Sequence, residues 1–282
     1  VARISPTTLL CRQHFKNFQS RFEGLGIKVE MLSRLVKPKA AQDIRKGIEE
    51  GKVDIVIATH ALFSKSVQFH DLGLVVVDEE QHFGVKQKEH LKNLKADVHV
   101  LSMTATPIPR TLQMSLSGVR EMSIIATPPV DRMAVRTFVQ PYDGVVIREA
   151  LMREHHRNGQ SFYVCPRIKD LREVSERLEK LVPELKFIVA HGQMAPKELE
   201  EQMDKFMSGK YDILLATNII ESGIDIPTAN TLIIHRSDML GLSQLYQLRG
   251  RVGRSKIRSY AYLTLPNHQL ISTKAQKRLE VM

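Results

Sequence analysis

Gly51-Lys-Val-Asp-Ile-Val-Ile-Ala-Thr59 and Gly209-Lys-Tyr-Asp-Ile-Leu-Leu-Ala-Thr217 are nearly the same phrase. In each, a glycine-led turn is followed by a short run that is apolar throughout and ends on threonine, the pattern of a strand buried on both faces. Gly-Lys turns before apolar strands are common, but here the identity extends through Asp, Ile, Ala and Thr at matched positions. Each copy follows a stretch of helical period, and the two lie about one domain length apart. The repeat predicts two lobes sharing one fold, each presenting a threonine where a strand ends.

Outward from these phrases the same alternation continues. Leu74 to Asp78, Val98 to Thr104, Ser161 to Cys165, Phe187 to Ala190 and Thr231 to Ile234 read as further buried strands, and Val1-Ala-Arg-Ile-Ser-Pro6 opens directly as another. Between them Phe15, Phe18, Phe22 and Leu25, then Leu171, Val174, Leu178 and Leu181, then Leu199, Met203 and Phe206 follow a helical period. Pro196 and Gly209 bracket the last of these as start and stop. Strands alternating with amphipathic helices give an α/β class built on parallel sheets. The prolines of Ala126-Thr-Pro-Pro-Val-Asp-Arg132 suppress helix and predict the joint between lobes. The expected division is residues 1–128, 129–266 and a short helical beginning over 267–282.

Composition narrows the class. Across 282 residues, 43% hydrophobic and 26% charged content argue against disorder and fibrous repeats. Lys plus Arg number 41 against 31 Asp plus Glu, and the resulting +10 suits a polyanionic partner without naming one. Cys11 and Cys165 are the two cysteines, far apart in sequence, which argues against a disulfide framework and for a reducing, cytoplasmic home. No Cys or His cluster has zinc spacing, His155-His156 reading as a solvated helix end. No long apolar run predicts a membrane span.

Two stretches carry chemistry. Leu74-Val-Val-Val-Asp78-Glu79-Glu80-Gln81-His82 puts consecutive carboxylates just past the end of a buried strand, where α/β sheets bind ligands. Asp78 could hold Mg²⁺, usually through water, with Glu79 activating the water that attacks a γ-phosphate; alternatively the pair caps a following helix. In Gln247-Leu-Arg249-Gly250-Arg251-Val252-Gly253-Arg254 glycines permit close backbone approach to a ligand beside three guanidinium groups. Phosphate is the natural ligand, a nucleic-acid-binding stripe the intermediate alternative and a solvated basic turn the plain one.

The order of these motifs from Val1 to Arg254 resembles a superfamily 2 helicase. Ser5-Pro6-Thr7-Thr8-Leu9-Leu10 with Gln13 is similar to that family's first DNA-contact motif, and Ala58-Thr59-His60 to the second. Asp78-Glu79-Glu80-Gln81 resembles the Walker B box, and Ser102-Met-Thr104-Ala105-Thr106-Pro-Ile-Pro-Arg110 the motif that couples nucleotide to DNA. In the second half Ala190-His191-Gly192 and Ala216-Thr217 match DNA-facing motifs. Glu221-Ser-Gly223-Ile-Asp225-Ile-Pro227 matches the motif bridging DNA and nucleotide, while Gln247, Arg251 and Arg254 match the arginine-finger motif.

The resemblance therefore implies two RecA-like lobes in tandem. It implies ATP and Mg²⁺ as cofactors, held by Asp78, Glu79, Gly223, Asp225, Arg251 and Arg254, and catalysis by Glu79, Gln247, Arg251 and Arg254. Pro6, Thr7, Thr59, His60, Gly192 and Thr217 would contact DNA, and Thr104, Ala105 and Thr106 would couple the two sites.

Thr104-Ala-Thr-Pro-Ile-Pro-Arg-Thr111, Ile124-Ile-Ala-Thr-Pro-Pro129, His191-Gly-Gln-Met194 and Gln244-Leu-Tyr-Gln-Leu-Arg-Gly-Arg-Val-Gly-Arg-Ser255 are similar to phrases of two branches, the transcription-repair coupling factors and the fork-remodelling RecG helicases, while Ile124 to Pro129, Ile226-Pro-Thr-Ala-Asn230 and Ala275-Gln-Lys-Arg-Leu-Glu280 are more similar to the former. Both branches move on double-stranded DNA, and the former adds RNA polymerase and excision-repair proteins as partners through regions outside this chain. Gly-x-x-x-x-Gly-Lys-Ser/Thr is absent, since Gly24-Leu-Gly26-Ile-Lys28 lacks the frame. In the family that phosphate cradle precedes the first DNA-contact motif, so the first lobe is expected to be incomplete at its N-terminus. This piece alone is expected to bind ATP poorly and be inactive, with unpaired strands flanking a gap. A non-hydrolysing DNA-binding module and a protein-interaction platform are the rival readings.

Overall fold

The computed structural model describes residues 1–64, 66–79, 83–84, 98–104, 122–127, 133–217, 224–254, 256–267 and 270–282. Ala105, Thr106, Gly223 and most of the predicted joint lie outside the described residues. The chain divides into two units, Val1–Ile124 and Ile125–Met282.

In the first unit the elements are β1 (Ala2–Ile4), α1 (Thr8–Arg21), β2 (Val29–Leu32), α2 (Pro38–Glu49), β3 (Ile55–Ala58), β4 (Leu74–Asp78) and β5 (His99–Met103). All pair in parallel, in the order β2-β3-β1-β4-β5. The two faces of β3 show why its sequence is apolar throughout. Ile55 and Ile57 pack with Cys11, Phe15, Phe18 and Phe22 of α1 and its end, and Val56 and Ala58 pack on the opposite side with Ala41 and Ile48 of α2. Helix α1 starts where the Thr7 hydroxyl accepts the Leu10 N–H at 3.3 Å, and α2 starts on Pro38, whose missing N–H costs nothing at a first turn. The five described strands form one unbroken sheet with β1 at its centre. Among the described residues β5 pairs on the β4 side alone, and its Val100 and Leu101 are exposed.

The second unit runs β6 (Arg136–Pro141), α3 (Gly144–His156), β7 (Gln160–Val164), α4 (Ile168–Leu181), β8 (Phe187–Ala190), α5 (Pro196–Met207), β9 (Ile213–Ala216), β10 (Ala229–Ile234), α6 (Leu242–Arg249), β11 (Tyr260–Leu265) and α7 (Thr273–Glu280). Its sheet is also parallel, ordered β6-β11-β10-β7-β9-β8. Leu171, Val174 and Leu178 of α4 and Ile147 and Leu151 of α3 cover one face over Tyr163, Ile213, Leu215 and Ile233.

The repeated phrase is now explained bond by bond. Gly51 and Gly209 both take left-handed φ, 71° and 74°, ending α2 and α5, a conformation that a side chain would resist. Asp54 accepts the Lys28 N–H at 2.8 Å, and Asp212 accepts the Lys186 N–H at the same 2.8 Å, so each aspartate ties its own strand to the start of the neighbouring one. At the far end Thr59 N–H donates to Leu32 and Thr217 N–H to Ala190, both at 3.3 Å. α2 and α5 are each 12 residues long and each begin on proline. Two lobes with a common fold are thus present down to single hydrogen bonds.

Both cysteines are free and buried, and burial pushes each thiol up to about 12. Neither should react with a disulfide reagent at pH 8 until the unit holding it opens, so labelling rates should rise steeply through the urea transition. A fast-reacting native thiol would contradict this packing. Because the native thiols stay protonated while the unfolded chain ionises near 9.0, stability falls as pH rises above that value. The slope approaches ~1.4 kcal/mol per thiol per pH unit before it levels off near the native value.

Candidate functional site

In the first unit the carboxyl end of the sheet gathers those predicted residues of that half that are described. Asp78 is the last residue of β4 and pairs with Met103 of β5, and Glu79 N–H donates to the Met103 carbonyl at 2.9 Å. Thr104, next in line after β5, therefore lies at the same level of the sheet as Glu79, where it is exposed. Glu79 is 8% exposed and takes a left-handed φ of 51°, which costs about 1–2 kcal/mol for a residue with a Cβ. The alternative that the acidic pair caps a following helix concerns residues outside the described ones.

Asp78 has two partners that sequence reasoning did not assign. Its Oδ2 accepts Arg3 Nη2 at 3.0 Å and contacts His14 Nε2 at 3.0 Å, and the Arg3 and His14 nitrogens are themselves 3.0 Å apart. Arg3 comes from β1, whose register sets it beside Val76, and His14 from α1 on the same face. Burial opposes ionisation of Asp78, but the His14 hydrogen bond and the charge of Arg3 outweigh it, holding the carboxyl below its ordinary value. The available signal was a basic residue in a strand otherwise made of Ala2 and Ile4, both buried.

The residues of this half expected to contact DNA are also drawn together. Ser5 N–H donates to the Ala58 carbonyl at 2.9 Å, so the Pro6-Thr7 loop lies against the Thr59-His60 turn across adjacent strand ends. Thr7 caps α1 through its oxygen and keeps its O–H donor. Thr59 is only 2% exposed, so what it can offer a ligand is position; His60, exposed, begins a 3-10 turn, His60–Phe63.

The second unit repeats the arrangement. Gly192 and Thr217 follow the adjacent strands β8 and β9, and a Cβ added to the exposed Gly192 would meet open space. Thr217, like Thr59, is largely buried. Asp225 and Arg254, predicted from separate motifs, form an ion pair at 3.3 Å, and Arg254 Nε also donates to the Gly250 carbonyl at 3.3 Å. Arg251 is 6% exposed, and half-buried Gln247 lies one turn before it on α6. Gly253 turns the chain with φ 76°, and an added Cβ would stand 2.8 Å from Val135. No other residue fits there without moving the loop. Arg249 leaves the group: it donates to the Met282 carbonyl at 2.9 Å and stacks on Tyr246.

Among the described residues no group of three or more His, Cys, Asp or Glu could hold a metal, and no helix is long and apolar enough to cross a membrane. A single carboxylate suffices for Mg²⁺ that keeps most of its waters. Asp78 fits that role through Oδ1, which takes no hydrogen bond among the described residues.

Comparison with known proteins adds three findings. Residues 1–115 match the DEAD/DEAH box helicase family, and residues 145–256 match the helicase conserved C-terminal domain. The whole chain aligns with the transcription-repair-coupling factors of Rickettsia conorii, at 56% identity, and of Escherichia coli, at 51%, covering 25% of each. It therefore spans about a quarter of the length of these curated relatives. A solved RecG bound to a three-way DNA junction is 37% identical, with a TM-score of 0.80 over 99% of this chain and 37% of that one.

Proposed function

We propose, from the premise that this chain belongs to helicase superfamily 2, that it is the two-lobed motor of an ATP-dependent double-stranded DNA translocase. The whole protein is then a transcription-repair coupling factor, acting in the cytoplasm on stalled RNA polymerase together with excision-repair proteins. One observation carries the motor reading. Each unit repeats the same strand-end turn, with Thr59 in one and Thr217 in the other, while the paired carboxylates occur in the first and the Arg251–Arg254 loop in the second. A duplicated hold with the reaction split between the copies is what stepping along a polymer requires.

Pro6, Thr7, Thr59 and His60 would hold phosphates of one DNA strand, and Gly192 and Thr217 the next ones along it. Asp78 would hold the metal and Glu79 would take the proton of the attacking water. Mg²⁺, when bound, supplies neutralising charge to the phosphates. Gln247, Arg251 and Arg254 would meet the γ-phosphate, and Asp225 would keep Arg254 oriented until then. Gly223 would lie against the nucleotide, and Thr104, Ala105 and Thr106 would transmit its state to the DNA-facing loops. On this reading residues 1–128 and 129–266 are the two lobes and 267–282 begins a helical element that converts their motion. The structural likeness to RecG favours fork remodelling as the second reading.

The test is displacement of a triplex-forming strand from duplex DNA by the whole protein. ATP-driven displacement without sequence preference is expected, with binding that weakens steeply with salt, by about 10³-fold or more between 50 and 200 mM if some six phosphates are held. Stimulation by stalled RNA polymerase distinguishes the coupling factor from the fork remodeller. A protein that binds DNA but never displaces the third strand would instead be the non-hydrolysing module.

A further inference from the structure

Arg3 stands in the central strand of the first sheet, between Ala2 and Ile4, which are 0% and 1% exposed. An aliphatic side chain would serve that position at least as well, because a partly buried ion pair, here with side chains 15% and 20% exposed, rarely adds stability over a hydrophobic replacement. Its guanidinium lies 5.6 Å from the Phe18 ring centroid, bonds Asp78 and His14, and leaves Nε without an acceptor among the described residues. The stem is thus committed to the core and the charge to one carboxylate. That carboxylate is the one to which the proposed function gives the metal.

We propose that Arg3 is an internal counter-cation that competes with divalent metal for Asp78, so that the nucleotide-free motor holds metal weakly. The inference rests on the metal assignment made above. Asp78 Oδ2 already receives the guanidinium and the imidazole, both at 3.0 Å, so a cation approaching Oδ1 meets a carboxylate whose charge is offset at close range. Coupling of this kind is reciprocal: to whatever extent Arg3 weakens the metal, the metal loosens Arg3 from Asp78. The Arg3 contact would then be tight without metal and slack with it, which links metal loading to the seating of β1 against α1. His14 contributes geometry to the same cage, reaching Asp78 from the second turn of α1.

The experiment titrates Mn²⁺ alone into the whole protein and reads bound metal by electron paramagnetic resonance. Arg3→Leu should tighten Mn²⁺ binding by about tenfold, since one positive charge next to the ligand is gone, whereas Arg3→Lys, which keeps the charge, should bind as the parent does. Arg3→Gln drops the charge at similar length and gives the same reading if the leucine variant folds poorly. Adding Asp78→Asn to Arg3→Leu should abolish the gain. Equal or weaker binding in both neutral variants overturns the competition while leaving the metal assignment intact. A gain that survives Asp78→Asn overturns both, because the metal would then sit elsewhere.

Discussion

Replacing Arg254 with alanine should lower DNA-stimulated ATP turnover about a thousandfold while leaving duplex affinity unchanged, as removal of an arginine finger typically costs 10³ or more. The structure supplies the reason to expect so clean a separation. Arg254 is exposed, and its two contacts, the 3.3 Å pair with Asp225 and the bond to the Gly250 carbonyl, are both at the surface of the second unit. Exposed pairs of this kind add little to stability, so the alanine variant should fold as the parent does and melt within a few degrees of it. The loop itself is shaped by Gly253, whose φ of 76° and tight approach to Val135 do not depend on Arg254. What alanine removes is therefore the charge that would meet the developing negative charge on the γ-phosphate. Asp225→Asn is the companion variant: it frees Arg254 without removing it, and should reduce turnover far less. If Arg254→Ala weakened DNA binding as much as turnover, the side chain would be a backbone contact and the reaction would need another cation.

The internal repeat made the fold legible because it reports on strands buried on both faces, where composition is dictated by two helices at once. Ile55 to Ala58 and Ile213 to Ala216 could hardly be anything else. Elements with one covered face were harder to see. β6 is an edge strand with exposed Phe138 and Val139, and Arg136-Thr-Phe-Val-Gln-Pro141 carries no unbroken apolar run. β2 is short and only Leu32 is fully buried, while β11 was hidden by the two tyrosines among its apolar residues. The helices α2 and α3 were legible only at their ends, before Gly51 and at His155-His156, because charged residues interrupt their stripes: α2 buries only Ala41, Gly47 and Ile48. Within the site, motif order placed Asp78 and Glu79 at a strand end and named Asp225 and Arg254, but not the ion pair between these two or the neighbours of Asp78. Arg3 and His14 reach Asp78 from positions 75 and 64 residues away in sequence, and such contacts exist only once β1, β4 and α1 have packed. Arg249 shows the converse. It shares the arginine motif by sequence, yet its guanidinium is turned onto Tyr246 and the chain end.

Glu79→Gln should leave nucleotide and DNA binding in place and cut hydrolysis by about 10²–10⁴-fold, the range over which a positioned general base contributes. Glutamine keeps the length and the hydrogen-bonding outline of the side chain and loses the ability to accept a proton. It also keeps the backbone problem: the residue at this position sits at φ 51°, with its N–H tied to Met103. A strained, non-glycine conformation that persists is a mark of a site where geometry is held for a purpose. That suggests a decisive control. Glu79→Gly relieves the left-handed strain and should leave the first unit folded, yet it should be as inactive as the glutamine variant. If instead glycine restored turnover that glutamine had lost, the backbone turn rather than the carboxylate would be what the reaction needs. If glutamine turned over ATP at the parent rate in the presence of DNA, Glu79 would be a structural residue and another group would have to activate the water. Because Gln and Gly differ in strain but share the missing carboxylate, agreement between them assigns the loss to chemistry, and disagreement assigns it to the turn.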